Sequence, residues 1–191
     1  SAASDVYKRQ VDYHFQPIVS AHDGHVVAYE ALMRPQLPTL RSPLTVMQLA
    51  SEMGRLYDIE KLTFFRACEC YEELEAAGKL DADALIFVNS IASVSLSNED
   101  WASYCEAHSA ILPKLVVEIT EQEDLDRACL ERKRNIPGFS GSFALDDYGS
   151  GYSNGNSLLT IAPKYVKVDI AIIRGIDTDL SLIHISEPTR L

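Results

Sequence analysis

The chain has 191 residues, 47% hydrophobic and 24% charged, the balance of one globular domain with its own core rather than of a disordered polymer. Its 17 Lys and Arg against 28 Asp and Glu leave a formal charge of -11. That argues against a nucleic-acid polymer as partner, although a phosphate compound can still bind an acidic chain through a cation. No apolar run reaches membrane-span length, and the scattered Cys68, Cys70, Cys105 and Cys129 suit reduced thiols and a cytoplasmic location without membrane contact.

In chain order, the two ends come first because they are related to each other. Residues 5–10 read DVYKRQ and residues 180–185 read LSLIHI. One DNA element read from opposite strands can encode both, and the longer strings resemble translated sequencing adaptors. Residues 1–10 and 180–191 are therefore expected to be non-native, with a partial domain over 11–179. FQPIV at 15–19 and VVAYEALM at 26–33, separated by AHDG, predict a hairpin. Ser42-Pro43 opens a helix, and a longer one runs from about 55 to 77, ended by Gly78. ALIFV at 84–88 predicts a strand with Asn89 at its end. Residues 98–110 look helical, with Asn98 as the cap. KLVVEI at 114–119 is a strand, 123–134 a charged helix, SFAL at 142–145 a strand running into Asp146-Asp147, 156–161 a short helix, and YVKV at 165–168 the last strand. His14, His22, His25 and His108 read as surface residues, and Trp101 and Tyr104 as packing residues.

Strands alternating with helices predict an α/β fold with parallel strands. Polar residues recur at the strand ends: Glu30, Asn89, Glu118, Asp146, Asp147 and Lys167. Ligand chemistry sits at carboxyl strand ends in such folds. Four acids and one carboxamide offer hard oxygen donors suited to Mg2+ or Mn2+, whereas zinc calls for His or Cys. Asp146 and Asp147 can serve two cations, or one can support the other. Two cations activate a water and clamp a phosphodiester. Lys167 can hold that water or stabilise phosphate charge, and Arg34 offers a planar fork to a phosphate. The glycine-rich stretch 148–153 reads as a lid, a positioning loop or an ordinary connection.

These residues carry a family resemblance. Glu30-Ala31-Leu32 inside YEALMR, FQPIV before it, FVNS around Asn89, EITE at 118–121, DDYGSGYS from Asp146 and KVD at 167–169 resemble, in order, the motifs of the EAL domain, a cyclic di-GMP phosphodiesterase family. The resemblance implies a modified TIM (β/α)8 barrel whose first strand is antiparallel, here with about six of eight strands. It implies Glu30, Asn89, Glu118, Asp146 and Asp147 as ligands of two divalent cations, Mg2+ or Mn2+. Lys167 would contact the catalytic water or scissile phosphate, Glu121 would anchor the loop after Asp147, and Gln16 and Arg34 would contact substrate. The reaction implied is hydrolysis of cyclic di-GMP to linear pGpG in bacterial signalling, with a possible homodimer in a full-length parent. The family's two further strands and a seventh-strand glutamate have no counterpart before residue 191, so turnover is expected of the parent rather than of this fragment. A non-catalytic cyclic di-GMP receptor is the alternative, and a protein-interaction scaffold a third reading.

Overall fold

The computed structural model describes residues 11–36, 42–120, 127–149 and 162–174. The expected non-native ends, the 156–161 helix and Glu121 lie outside the described residues.

The chain opens as the predicted hairpin. Strand β1 (Val11–Val19) pairs antiparallel with β2 (Val26–Pro35), placing Gln16 opposite Glu30. The turn between them closes by hydrogen bonds from Ser20 N–H to the His25 carbonyl and from Gly24 N–H to the Ser20 carbonyl, each 2.8 Å. Gly24 sits at φ 75°, a conformation glycine adopts without steric cost. Helix α1 (Pro43–Glu52) starts with proline in its first turn. Helix α2 (Leu56–Ala76) buries Glu60, Thr63, Phe64, Ala67, Cys68 and Tyr71, the i, i+3, i+4 stripe of a helix with one face on a core. It packs on β1, β2 and β3 (Leu85–Asn89).

Helix α3 (Asn98–Ala107), strand β4 (Leu115–Thr120), helix α4 (Arg127–Arg134), strand β5 (Ser142–Tyr148), strand β6 (Tyr165–Val168) and the single turn α5 (Ile170–Ile173) complete the described order. The six strands form one sheet in sequence order β1 to β6. β2 to β6 are parallel to one another and β1 alone is reversed. This is the predicted α/β architecture: a mixed, unclosed portion of a TIM-like barrel. Parallel strands covered on both faces need little alternation, and Leu115–Ile119 is accordingly buried at every position.

The sheet separates two apolar clusters. The larger lies between sheet and helices and includes Phe64, Tyr71, Ile86, Val88, Trp101, Tyr104, Leu115 and Leu130. Trp101 stacks on Tyr104 with ring centroids 4.9 Å apart, so both are packing residues as expected. The smaller cluster is Ala28, Phe87, Val116 and Ala144, with Ile18 and Tyr165 against it. It lines the concave face.

Four sequence expectations change. The cap of α3 is Ser97, not Asn98: Ser97 is extended at φ -63°, ψ 157°, and its hydroxyl accepts the Asp100 N–H. That helix ends at Ala107 rather than 110. β5 continues past Leu145 through both aspartates because it goes on pairing with β6 as far as Tyr148 and Val168. His108 is buried, not superficial: its ring lies against Phe65 and Tyr104, with Nδ1 3.1 Å from Glu72 Oε2. His14, His22 and His25 are exposed.

Candidate active site

The concave face is built by two-residue alternation. On a strand, residues two apart share a face. Inward-facing Ala28, Phe87, Val116 and Ala144 make the apolar floor. Two residues further along the same strands come Glu30, Asn89, Glu118 and Asp146, and after Tyr165 comes Lys167. On the reversed β1, Gln16 lies opposite Glu30, beyond Ile18. An apolar tier thus carries a polar tier at the carboxyl ends of the parallel strands.

Side-chain geometry bears this out for four residues. Glu30, Glu118 and Asp146 each place a carboxylate oxygen within 4.8 Å of the others. Lys167 Nζ sits among them, 2.8 Å from Glu118 Oε1, 3.1 Å from Glu30 Oε2 and 3.4 Å from Asp146 Oδ1. Glu118 is the deepest member, its side chain fully buried. Its Oε1 is ion-paired with Lys167, and its Oε2 has no hydrogen-bond partner among the described residues. Burial, reinforced by Glu30 and Asp146 and opposed by Lys167, pushes the Glu118 carboxyl up to about 7. Burial would lower Lys167, but the carboxylates of Glu118, Asp146 and Glu30 outweigh it and hold the ammonium above its ordinary value.

The two aspartates share one side of the mouth through an irregularity. Leu145 pairs with Val166 and Tyr148 with Val168. β5 therefore carries one residue more than β6 over this interval, and Asp146 and Asp147 together face Lys167. Such bulges re-aim side chains beside functional sites. Asp147 adopts φ 56°, which costs a non-glycine residue about 1–2 kcal/mol, though aspartate tolerates it better than most. Burial, with Asp146 and Asp169 nearby, raises its carboxyl above the ordinary value.

Of the remaining predicted residues, Asn89, Gln16 and Arg34 are described. Asn89 is exposed at the end of β3, in register with Glu118. Gln16 is exposed on β1. Arg34 lies on the same face as Glu30, two alternations or roughly 13 Å further along β2. Its Nη1 donates to the neighbouring Met33 carbonyl at 2.9 Å. Glu121 lies outside the described residues. Sequence reasoning missed a buried ionic cluster of Glu60, Lys133 and Ser90 behind Asn89. The available signal was charge at core positions of two helices: Glu60 on the apolar stripe of α2, and Lys133 one turn after Cys129 and Leu130 on α4.

A divalent cation fits these residues. The donors are hard oxygens, three converge within 4.8 Å, and the buried Glu118 Oε2 has no hydrogen-bond partner among the described residues. Fold and mouth together define a barrel-type α/β domain with an acidic centre of three converging carboxylates. The EAL domain family matches residues 2–185, and the chain belongs to that family. The cyclic di-GMP phosphodiesterase NbdA of Pseudomonas aeruginosa is 30% identical over 176 residues, which cover 87% of this chain and 22% of that protein. The probable cyclic di-GMP phosphodiesterase PdeG of Escherichia coli is 25% identical over 172 residues, 86% of this chain and 34% of that protein. Among solved structures, the PaMucR phosphodiesterase in complex with c-di-GMP superposes with a TM-score of 0.71 at 25% identity, covering 96% of this chain and 76% of that one. An EAL domain protein from Listeria monocytogenes does so with a TM-score of 0.74 at 20% identity, covering 97% and 75%. The chain spans about a quarter of the length of the curated relatives it matches. Among the described residues no helix is long and apolar enough to cross a membrane.

Proposed function

We propose that this chain is the cyclic di-GMP-binding core of a divalent-metal phosphodiesterase that opens the cyclic dinucleotide to linear pGpG in the bacterial cytoplasm. The observation that carries the reading is the convergence of Glu30, Glu118 and Asp146 on one point of the barrel mouth, with the buried Glu118 Oε2 lacking a hydrogen-bond partner among the described residues. Glu30, Asn89, Glu118, Asp146 and Asp147 would hold two cations, Mg2+ or Mn2+. When bound, the cations supply a water of lowered pKa and offset charge on the phosphodiester.

The chain's own residues do the rest. The Lys167 ammonium donates a hydrogen bond to the attacking water or to a non-bridging phosphate oxygen. Arg34 gives the dinucleotide's phosphate a planar fork, and Gln16 offers its amide to a base edge. Glu121 anchors the loop after Asp147. The water oxygen forms a bond to phosphorus as one ribose 3′ oxygen leaves and takes up a proton, so one ring ester opens into a 5′-phosphate and a free hydroxyl.

The test has two stages. Calorimetry with cyclic di-GMP and Ca2+ measures binding, and chromatography of the nucleotide products with Mg2+ measures turnover in a parent that carries all eight strands. Saturable binding followed by pGpG formation is expected. Binding without turnover would assign the domain to the receptor class, and failure to bind would leave only a scaffold role.

A further inference from the structure

Directly behind Asn89 the structure buries an ion pair that the site chemistry does not use. Glu60, on α2, and Lys133, on α4, have side chains 1% and 6% exposed, with Lys133 Nζ 2.6 Å from Glu60 Oε1. Ser90, the residue after Asn89, donates its hydroxyl to Glu60 Oε1 at 2.7 Å and accepts from Lys133 Nζ at 2.6 Å. The Ile91 N–H donates to Glu60 Oε2 at 2.8 Å. The surroundings are otherwise apolar, with Phe64, Leu96, Trp101, Val117 and Phe143 lining the adjoining cavity.

Stability alone is a poor reason for this arrangement. Replacing a buried ion pair by apolar side chains of similar volume is often neutral or stabilising, because desolvation offsets the attraction. What the pair does have is a specific address. Among the described residues, the side-chain hydrogen bonds it makes outside itself go to Ser90 and Ile91, the two residues that follow Asn89. The Ser90 N–H in turn donates to the Glu118 carbonyl at 2.9 Å, tying the same turn to the neighbouring strand at the deepest acid of the mouth. Two consecutive residues are therefore held by hydrogen bonds to one rigid carboxylate, itself fixed by a lysine from a third element. Hydrogen bonds to ionised groups are the stronger kind, and in a site of low dielectric they hold geometry firmly.

We propose that Glu60 and Lys133, acting through Ser90, are positioning residues: they lock the turn after β3 and so aim the Asn89 carboxamide into the acidic mouth. A neutral carboxamide is a weak ligand beside carboxylates, and its contribution depends on being held in place. The proposal rests on the reading of Asn89 as a cation ligand. Residues that orient metal ligands cost about 10–100-fold in affinity when removed.

The experiment compares wild type, Ser90→Ala and Glu60→Gln, each also in an Asn89→Ala background. Mn2+ affinity is measured by calorimetry, and the Asn89 side-chain amide is followed by 15N–1H NMR in the metal-free protein. Ser90→Ala and Glu60→Gln are expected to weaken Mn2+ binding 10–100-fold and to shift or broaden the Asn89 amide signal. In the Asn89→Ala background they should cost little further affinity, since the ligand they serve is already gone. Where Glu60→Gln fails to fold, Ser90→Ala decides, because it removes one hydroxyl and keeps the ion pair. Wild-type affinity in Ser90→Ala with an unmoved Asn89 signal would overturn the proposal, as would full additivity with Asn89→Ala. Absence of Mn2+ binding in the wild type would instead strike the metal reading, and the Asn89 signal alone would then judge the positioning role.

Discussion

On the proposed metal reading, Lys167 and a divalent cation would compete for the same oxygens. Its ammonium lies 2.8–3.4 Å from three carboxylates, so without metal it is the charge that keeps Glu30, Glu118 and Asp146 together. Lys167→Met removes that charge and leaves the acids to repel one another. In chelator the variant should lose about 2 kcal/mol, less than the roughly 3–5 kcal/mol of a fully buried broken pair, because the lysine side chain keeps 28% exposure. Saturating Mn2+ should then stabilise the variant more than the wild type, since the ion no longer has to displace a resident ammonium. A ligand at about 100 times its Kd adds about 2.7 kcal/mol, ample to see in thermal melts. Equal Mn2+ responses in the two proteins would mean that the ion binds away from Lys167.

At the scale of single elements, α3 is held at its start by one aspartate. Asp100 accepts the Tyr57 hydroxyl at 2.6 Å and Lys61 Nζ at 2.7 Å, while its own N–H donates to the Ser97 hydroxyl. It also stands in the first turn, where a negative charge favours the helix dipole. Partial burial opposes its ionisation, but the bonds from Lys61 and Tyr57 prevail and hold the carboxyl below its ordinary 3.8. The sign follows from that: with the folded value depressed, the stabilisation is complete above about pH 4 and fades as pH falls through the lower folded value. Asp100→Asn should cost about 1 kcal/mol at neutral pH, and urea midpoints of variant and wild type should converge toward pH 3. A gap unchanged at pH 3 would assign the loss to packing instead. The same element shows what local sequence conveys. A capping residue was visible near 98, but Ser97 and Asn98 are both good caps, and only the extended backbone at Ser97 decides between them. The strand ends were legible because a polar residue closing an apolar run needs no distant information. The extra residue at Asp146-Asp147 was not, since a bulge exists only against the partner strand. Nor was the Glu60–Lys133 pair, whose members lie 73 residues apart and whose charges contradict the apolar pattern of their own helices.

At the scale of the whole sheet, β6 is an edge among the described residues, hydrogen-bonded there to β5 alone. By alternation Lys167 faces the mouth while Val166 and Val168 face outward, 42% and 44% exposed, and Ile170 and Ile173 continue the apolar surface at 66% and 52%. An open edge with exposed branched residues is a template for strand pairing with a second molecule, and the adjoining apolar surface adds to the attraction. Self-association that grows with concentration is therefore expected, with aggregation at high loading. Val166→Lys places a charge on the outward face of the edge and leaves the residues facing the cation centre untouched. It should raise the monomer fraction in sedimentation velocity while Mn2+ affinity stays at the wild-type value. If the variant and the wild type associate alike, the contact does not run through β6. If Mn2+ affinity falls with the association, the edge and the mouth are coupled, and a neighbouring strand on β6 is part of what holds Lys167 against Glu118.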